Sequence, residues 1–147
     1  MDYRLVLATA SDEGWLEQLR RSVYQELFVT TFGAWDEARH QQHADGCWSR
    51  GNIFLIEVEN LHVGMIQLVE DPHVVEISEL QIAPPHQNRG LGSHLVLDII
   101  GRAHGDGKPV VLWVGLKNER AYRLYLRLGF RQVSQTAAHR TMINESP

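Results

Sequence analysis

Apolar and polar positions alternate along this chain in two distinct periods. Leu91, Leu95 and Ile99 stand four apart, with Val96 and Ala103 alongside, which predicts a helix with one apolar face. Leu16, Leu19, Val23 and Leu27 show the same spacing earlier. Ser11 is placed to cap that helix, and Asp12 and Glu13 suit the positive dipole of its first turn. Gly33 breaks the pattern, and a second helix is predicted over 36–47. Ala121, Leu124, Tyr125 and Leu128 predict a last helix, opened by Asn118 and ended by Gly129.

Period-two or β-branched runs predict strands over 4–8, 53–59, 62–69, 74–82, 110–114, 130–135 and 138–143. Asn60 and Leu61 fall at a turn, and Asp71 and Pro72 at the next, so 53–82 reads as an antiparallel meander. Strand 74–82, the helix after it and strand 110–114 form a strand–helix–strand unit. A right-handed crossover then makes those two strands parallel. The expected fold class is α/β (α+β): a mixed, largely antiparallel sheet with helices.

Composition narrows the class. The chain has 147 residues, 44% of them hydrophobic, enough for one domain over 1–147 with its own core. Fourteen basic against eighteen acidic residues give a formal charge of −4, which argues against general nucleic-acid or membrane-surface binding. The single cysteine, Cys47, excludes an internal disulfide and fits a reducing cytoplasm. No membrane span, signal peptide or lipidation pattern is legible.

Candidate chemistry concentrates where strand 74–82 runs into the helix at Leu91. Pro84 and Pro85 stop the strand, and Gly90 and Gly92 sit where the helix starts. The first N–H groups of a helix lack internal partners, and glycine lets a ligand approach the backbone. Such a turn suits a phosphate or pyrophosphate. No Gly-Lys-Ser/Thr follows, so it is not a P-loop, and the third glycine of a dinucleotide fingerprint is missing.

Two blocks carry a resemblance. Leu80-x-Ile82-x-Pro84 followed by Gln87-Asn88-Arg89-Gly90-Leu91-Gly92 resembles the acetyl-coenzyme A pyrophosphate motif of the GCN5-related N-acetyltransferase (GNAT) family. Asn118-x-x-Ala121-x-x-x-Tyr125-x-x-x-Gly129-Phe130 resembles that family's second cofactor motif. The resemblance implies a sheet whose parallel central strands splay, with helices on both faces. Pantetheine would pair with the strand carrying Leu80, Gln81 and Ile82. The amides from Asn88 to Ser93 would hold the pyrophosphate, and Asn118 the pantetheine arm or its neighbouring backbone. Arg89 adds charge there or faces solvent.

The implied reaction is attack of a primary amine, of a small molecule or peptide, on the acetyl-coenzyme A thioester, without a metal. The resemblance places Tyr125 near the sulfur. Proton transfer from a phenol of pKa ~10 to a thiolate of pKa ~8.5 is uphill by about 2 kcal/mol, which favours hydrogen-bond donation. Glu79 and Glu76 are the candidate acceptors of the amine proton. They lie on opposite strand faces, so one at most reaches it, and Glu79, next to Leu80, is preferred. Some family members carry the base five residues before the asparagine, and here Trp113 stands there, a candidate aromatic wall. A different acyl group, or an acyl-coenzyme A-binding module without turnover, are the alternatives.

Tyr24, Phe28, Phe32, Trp35 and Trp48 gather around the first two helices. They read as core, or as a mobile helix pair lending aromatics such as Tyr24, Phe28 and Trp35 to a substrate pocket. His40, His43 and Cys47, at i, i+3 and i+7, share one side of the predicted second helix, but the spacing matches no common zinc site and no metal is expected. A homodimer is compatible with the sequence, which carries no decisive mark of one.

Overall fold

The computed structural model describes residues 2–145, leaving aside the side chains of Thr31 and Phe32, so the Phe32 ring of the expected aromatic group lies outside what is described. Its secondary structure runs β1 (Arg4–Leu7), α1 (Glu13–Phe32), α2 (Glu37–Arg50), β2 (Ile53–Val58), β3 (Leu61–Glu70), β4 (Val75–Ile82), α3 (Leu91–Gly105), β5 (Val110–Gly115), α4 (Glu119–Arg127), β6 (Arg131–Gln135) and β7 (His139–Asn144). The seven strands among the described residues form one mixed sheet in the order β1-β2-β3-β4-β5-β7-β6. The β4–β5 pair is parallel, as the crossover argument requires. No helix among the described residues is long and apolar enough to cross a membrane.

The chain divides into two compact units, and β3 and β4 each contribute residues to both. The first unit is the chain to Gln67 together with Glu79–Gln87. Here β1 and β2 are antiparallel, as are β2 and β3, with a register shift at Ile56/Glu57. Leu19 of α1, Ile53 and Met65 form a buried cluster, packed on by Trp15, Leu16, Val23, Cys47, Trp48 and Ala83. Burying a leucine or isoleucine side chain stabilises by roughly 1.5–3 kcal/mol, so this cluster holds the two helices to their strands. Gln67, 1% exposed, is fully used: its amide donates to the carbonyls of Cys47 and Gly51, at 2.8 Å each.

The entry to α1 differs from the expectation. Ser11 does not cap it, because a short 3-10 turn over Ala10–Asp12 intervenes. Asp12 accepts from the Thr9 N–H at 2.8 Å, while Ser11 Oγ lies 2.8 Å from Thr9 Oγ1. An Asp carboxylate reaches back to an earlier N–H more readily than a serine hydroxyl, which here is engaged by its neighbour. The second helix, α2, starts as expected, with Asp36 accepting from Arg39 N at 3.1 Å, and runs three residues further, to Arg50.

The second unit comprises Leu68–Ser78 and the chain from Asn88 on. Its parallel ladder pairs Val75 with Val110, Glu76 with Val111 and Ile77 with Leu112. The apolar stripe of α3 is buried as its period predicts: Leu95 and Val96 are fully buried, and Leu91, Ile99 and Ala103 nearly so. The final hairpin forms, with β7 beside β5 and β6 outside it. The burial explains this arrangement, since β7 carries Met142 and Asn144 inward while every residue of β6 is exposed.

Candidate functional site

In the first unit, side chains converge on Glu79. Strand alternation puts Glu79 and Gln81 on one face of β4. Glu79 Oε1 lies 2.6 Å from His43 Nε2 of α2, and Oε2 accepts from the Tyr24 hydroxyl of α1 and from Gln81 Nε2, both at 3.3 Å. Arg20, one helical turn before Tyr24, sets Nη1 3.9 Å from Glu79 Oε1 and its guanidinium 5.2 Å from the Tyr24 ring. Glu79 and Arg20 are 12% and 14% exposed, whereas His43 is 48% exposed. Burial works to raise the Glu79 pKa, but the His43 hydrogen bond and the charges of His43 and Arg20 outweigh it and hold the carboxyl below its usual range. Glu79 is therefore an anchored anion with both oxygens engaged.

A cavity of about 380 Å³ adjoins this group, within the size range of small-molecule sites. Arg20 and Gln81 line it together with Glu13, Glu17, Asp45 and Trp48, over an apolar floor that includes Ile53 and Met65. Three carboxylates against one guanidinium give the lining a net negative charge.

The three residues expected along one side of α2 go to three different partners. His43 meets Glu79, and Cys47 donates to Gln67 Oε1 at 2.9 Å, its thiol pushed up by burial to about 11. His40 packs on Trp35 with ring centroids 4.8 Å apart. It is 2% exposed, neither ring nitrogen has a hydrogen-bond partner, and burial and then the charges of Arg20 and Arg21 hold its pKa below the usual value. His40 instead brings a ligand atom within 4.8 Å of Glu17 and Glu37. Arg21 already bridges those two carboxylates, supplying the positive charge a metal ion would bring. Of the expected substrate aromatics, Tyr24 joins Glu79, while Phe28 packs on Trp35 at 5.1 Å and Trp35 Nε1 donates to Glu37 at 3.0 Å.

The turn toward α3 is prepared in the first unit, where Gln87 Nε2 donates to the Ile82 carbonyl at 2.8 Å. The side chain of Gln87 thus fixes the end of β4, while Leu80 is half-buried and Gln81 is 3% exposed. In the second unit, Asn88 and Gly90 adopt left-handed φ of 63° and 82°. Left-handed residues in such turns aim successive N–H groups at one point. Gly90 is the N-cap of α3, no side chain caps that end, and no acidic residue occupies its first turn. The first intrahelical bond runs from His94 N to Gly90 O at 3.0 Å, so the N–H groups of Leu91, Gly92 and Ser93 precede the ladder. These features fit a diphosphate. Arg89 is exposed.

Further along the second unit, Asn118 caps α4, its Oδ1 accepting from Ala121 N at 3.3 Å. Half-buried Tyr125 meets Phe130 edge-on at 5.6 Å. Trp113 is 43% exposed and lies opposite Thr141 in the β5–β7 ladder. Glu76 accepts from Ser78 Oγ on the same face of β4. Arg20 and His43 were the residues that sequence reasoning did not connect with Glu79. The i, i+4 spacing of Arg20 and Tyr24 was visible, but nothing local pointed it at β4.

Comparisons with known proteins bear on the fold and the family. An uncharacterized N-acetyltransferase of Methanocaldococcus jannaschii is 27% identical over 125 residues, covering 74% of this chain. The chain spans 55% of that relative's length. The structure of a PaiA N-acetyltransferase from Thermoplasma acidophilum, in complex with coenzyme A, is 15% identical with a TM-score of 0.74, covering 99% of both chains. An acetyltransferase from Thermus thermophilus is 18% identical with a TM-score of 0.75, covering 99% of this chain and 97% of that one. The acetyltransferase (GNAT) family profile matches residues 18–130, and the chain belongs to that family.

Proposed function

We propose that this chain transfers an acetyl group from acetyl-coenzyme A to a primary amine of a small molecule or peptide. The observation that carries this reading is the uncapped start of α3, where Leu91, Gly92 and Ser93 offer N–H groups beyond a left-handed Gly90. A helix N-terminus with bare donors and no acidic neighbour favours a diphosphate, and the coenzyme carries one. The thioester would supply the activated acyl group. Leu80, Gln81 and Ile82 would offer backbone groups to the pantetheine amides, except that the Ile82 carbonyl already accepts from Gln87. Asn118 has its Oδ1 engaged with Ala121 and would donate through Nδ2. Tyr125 would donate a hydrogen bond as charge develops on sulfur, and a backbone N–H of β4 would stabilise the oxyanion.

The acceptor side rests on the cavity near Glu79. Glu13, Glu17 and Asp45 favour a cationic group, and Trp48 with Ile53 and Met65 favour an apolar body. Calorimetry with acetyl-coenzyme A, run beside thiol release with a panel of primary amines, tests the reading. Binding with turnover supports it. Binding without turnover on any amine favours an acyl-coenzyme A-binding module, and the absence of binding heat overturns both.

A further inference from the structure

We propose that His43, oriented by Glu79, takes the proton from the acceptor amine; this rests on the acetyl-transfer reading above. Attack by a neutral amine leaves a surplus proton on nitrogen, so the transfer needs a proton acceptor. Glu79 is poorly suited to that role. Its oxygens accept from His43, Tyr24 and Gln81, and Arg20 stands 3.9 Å away. Those are the groups that face it from α1, α2 and its own strand, with Cys47 of α2 close by and protonated at neutral pH. A carboxylate so engaged holds its charge and gives little driving force for proton uptake.

His43 has what Glu79 lacks. Its Nε2 lies 2.6 Å from Glu79 Oε1, and an ionised carboxylate only accepts, so Nε2 carries the hydrogen. That fixes the tautomer and leaves the Nδ1 lone pair as the basic site. The anchor is buried at 12% exposure while the ring reaches solvent at 48%. A carboxylate holding an imidazole in one tautomer, with the other nitrogen turned to chemistry, is the logic of the catalytic triad. In the step, the lone pair of the neutral amine forms the C–N bond to the acyl carbon. The C–S bond breaks with its electron pair leaving on sulfur, and the surplus proton on nitrogen passes to His43 Nδ1. One imidazolium thus balances one thiolate. His43 is the catalytic residue and Glu79 the positioning residue.

The test uses the full chain with acetyl-coenzyme A and n-butylamine, 1,4-diaminobutane, phenethylamine and a lysine-containing peptide, read by thiol release. Wild-type kcat/KM with the best amine is expected to fall on an acidic limb as the base takes up its proton. His43→Gln should lower kcat/KM about 100-fold and lose that limb, with coenzyme affinity unchanged. Added imidazole should restore part of the activity of His43→Ala, and Glu79→Gln should lower kcat/KM while keeping the limb. A His43→Gln variant with the wild-type rate and limb overturns the proposal while acetyl transfer stands. A wild type that binds the coenzyme yet acetylates none of the amines overturns acetyl transfer and this proposal with it. Nitrogen-15 NMR of His43 provides a readout independent of turnover. Protonation at Nε2 in the neutral ring is expected, and a neutral Nδ1–H ring overturns the proposal.

Discussion

Gly64 of β3 faces the main-chain carbonyl of Gln81, and a Cβ on Gly64 would stand 2.4 Å from that oxygen. Backbone cannot yield as a side-chain tip can, and the next neighbours, Ile82 Cδ1 and Ile56 Cδ1, lie at 3.1 and 3.3 Å. Gly64→Ala is therefore expected to cost about 1–3 kcal/mol, seen as a lower urea midpoint at unchanged slope. Because Gln81 donates to Glu79, the same substitution should disturb the carboxylate cluster, and an unchanged midpoint would contradict the close approach.

Tyr125 packs edge-on against Phe130, a contact that phenylalanine would keep. Tyr125→Phe should therefore leave coenzyme binding near wild type while turnover falls about 100-fold. Calorimetry and thiol release on one preparation check this. Equal turnover in both proteins would leave the tyrosine with a packing role.

Glu79 has a depressed pKa in the folded chain, so the unfolded chain binds more protons as the pH falls past the ordinary carboxylate range. The resulting stabilisation is present above the unfolded value of about 4.3 and is lost as pH drops through the folded value. Urea unfolding between pH 3 and 6 should rise with pH more steeply for wild type than for Glu79→Gln. Parallel curves would show that the carboxylate gains nothing from its partners.

Cys47, the one cysteine of the chain, has its thiol pushed up to about 11 by burial. At pH 8 its thiolate fraction is about a thousandth, against roughly a quarter for an ordinary cysteine. Iodoacetamide should therefore label the native chain far more slowly than the urea-unfolded chain, as followed by intact mass. Equal rates would contradict the burial.

Much of this architecture could be read from local pattern. The α3 stripe, the parallel partner of β4 and the Asn118 cap each depend on residues within a few positions of one another, or on one crossover rule. Other features could not be read that way. Thr9 and Asp12 displaced Ser11 because a 3-10 turn inserted where a helix start was expected. Which terminal strand lies beside β5 was not legible, because β6 and β7 are both short with similar patterns and only burial distinguishes them. The convergence of Arg20, Tyr24 and His43 on Glu79 joins residues far apart in the chain. A single sequence shows each side chain but not the fold that brings them together.

The exposed strand β6 has a further consequence. It ends the sheet, and an unpaired strand edge is a template on which other chains can add and grow into fibres. Here that border is Arg131, Gln132, Val133, Ser134 and Gln135, with one apolar residue among five. Arg131 is further tied to Glu145. Charge and hydration along this rim make it a poor seed for edge-to-edge growth, a task given to four polar side chains that take no part in folding the core.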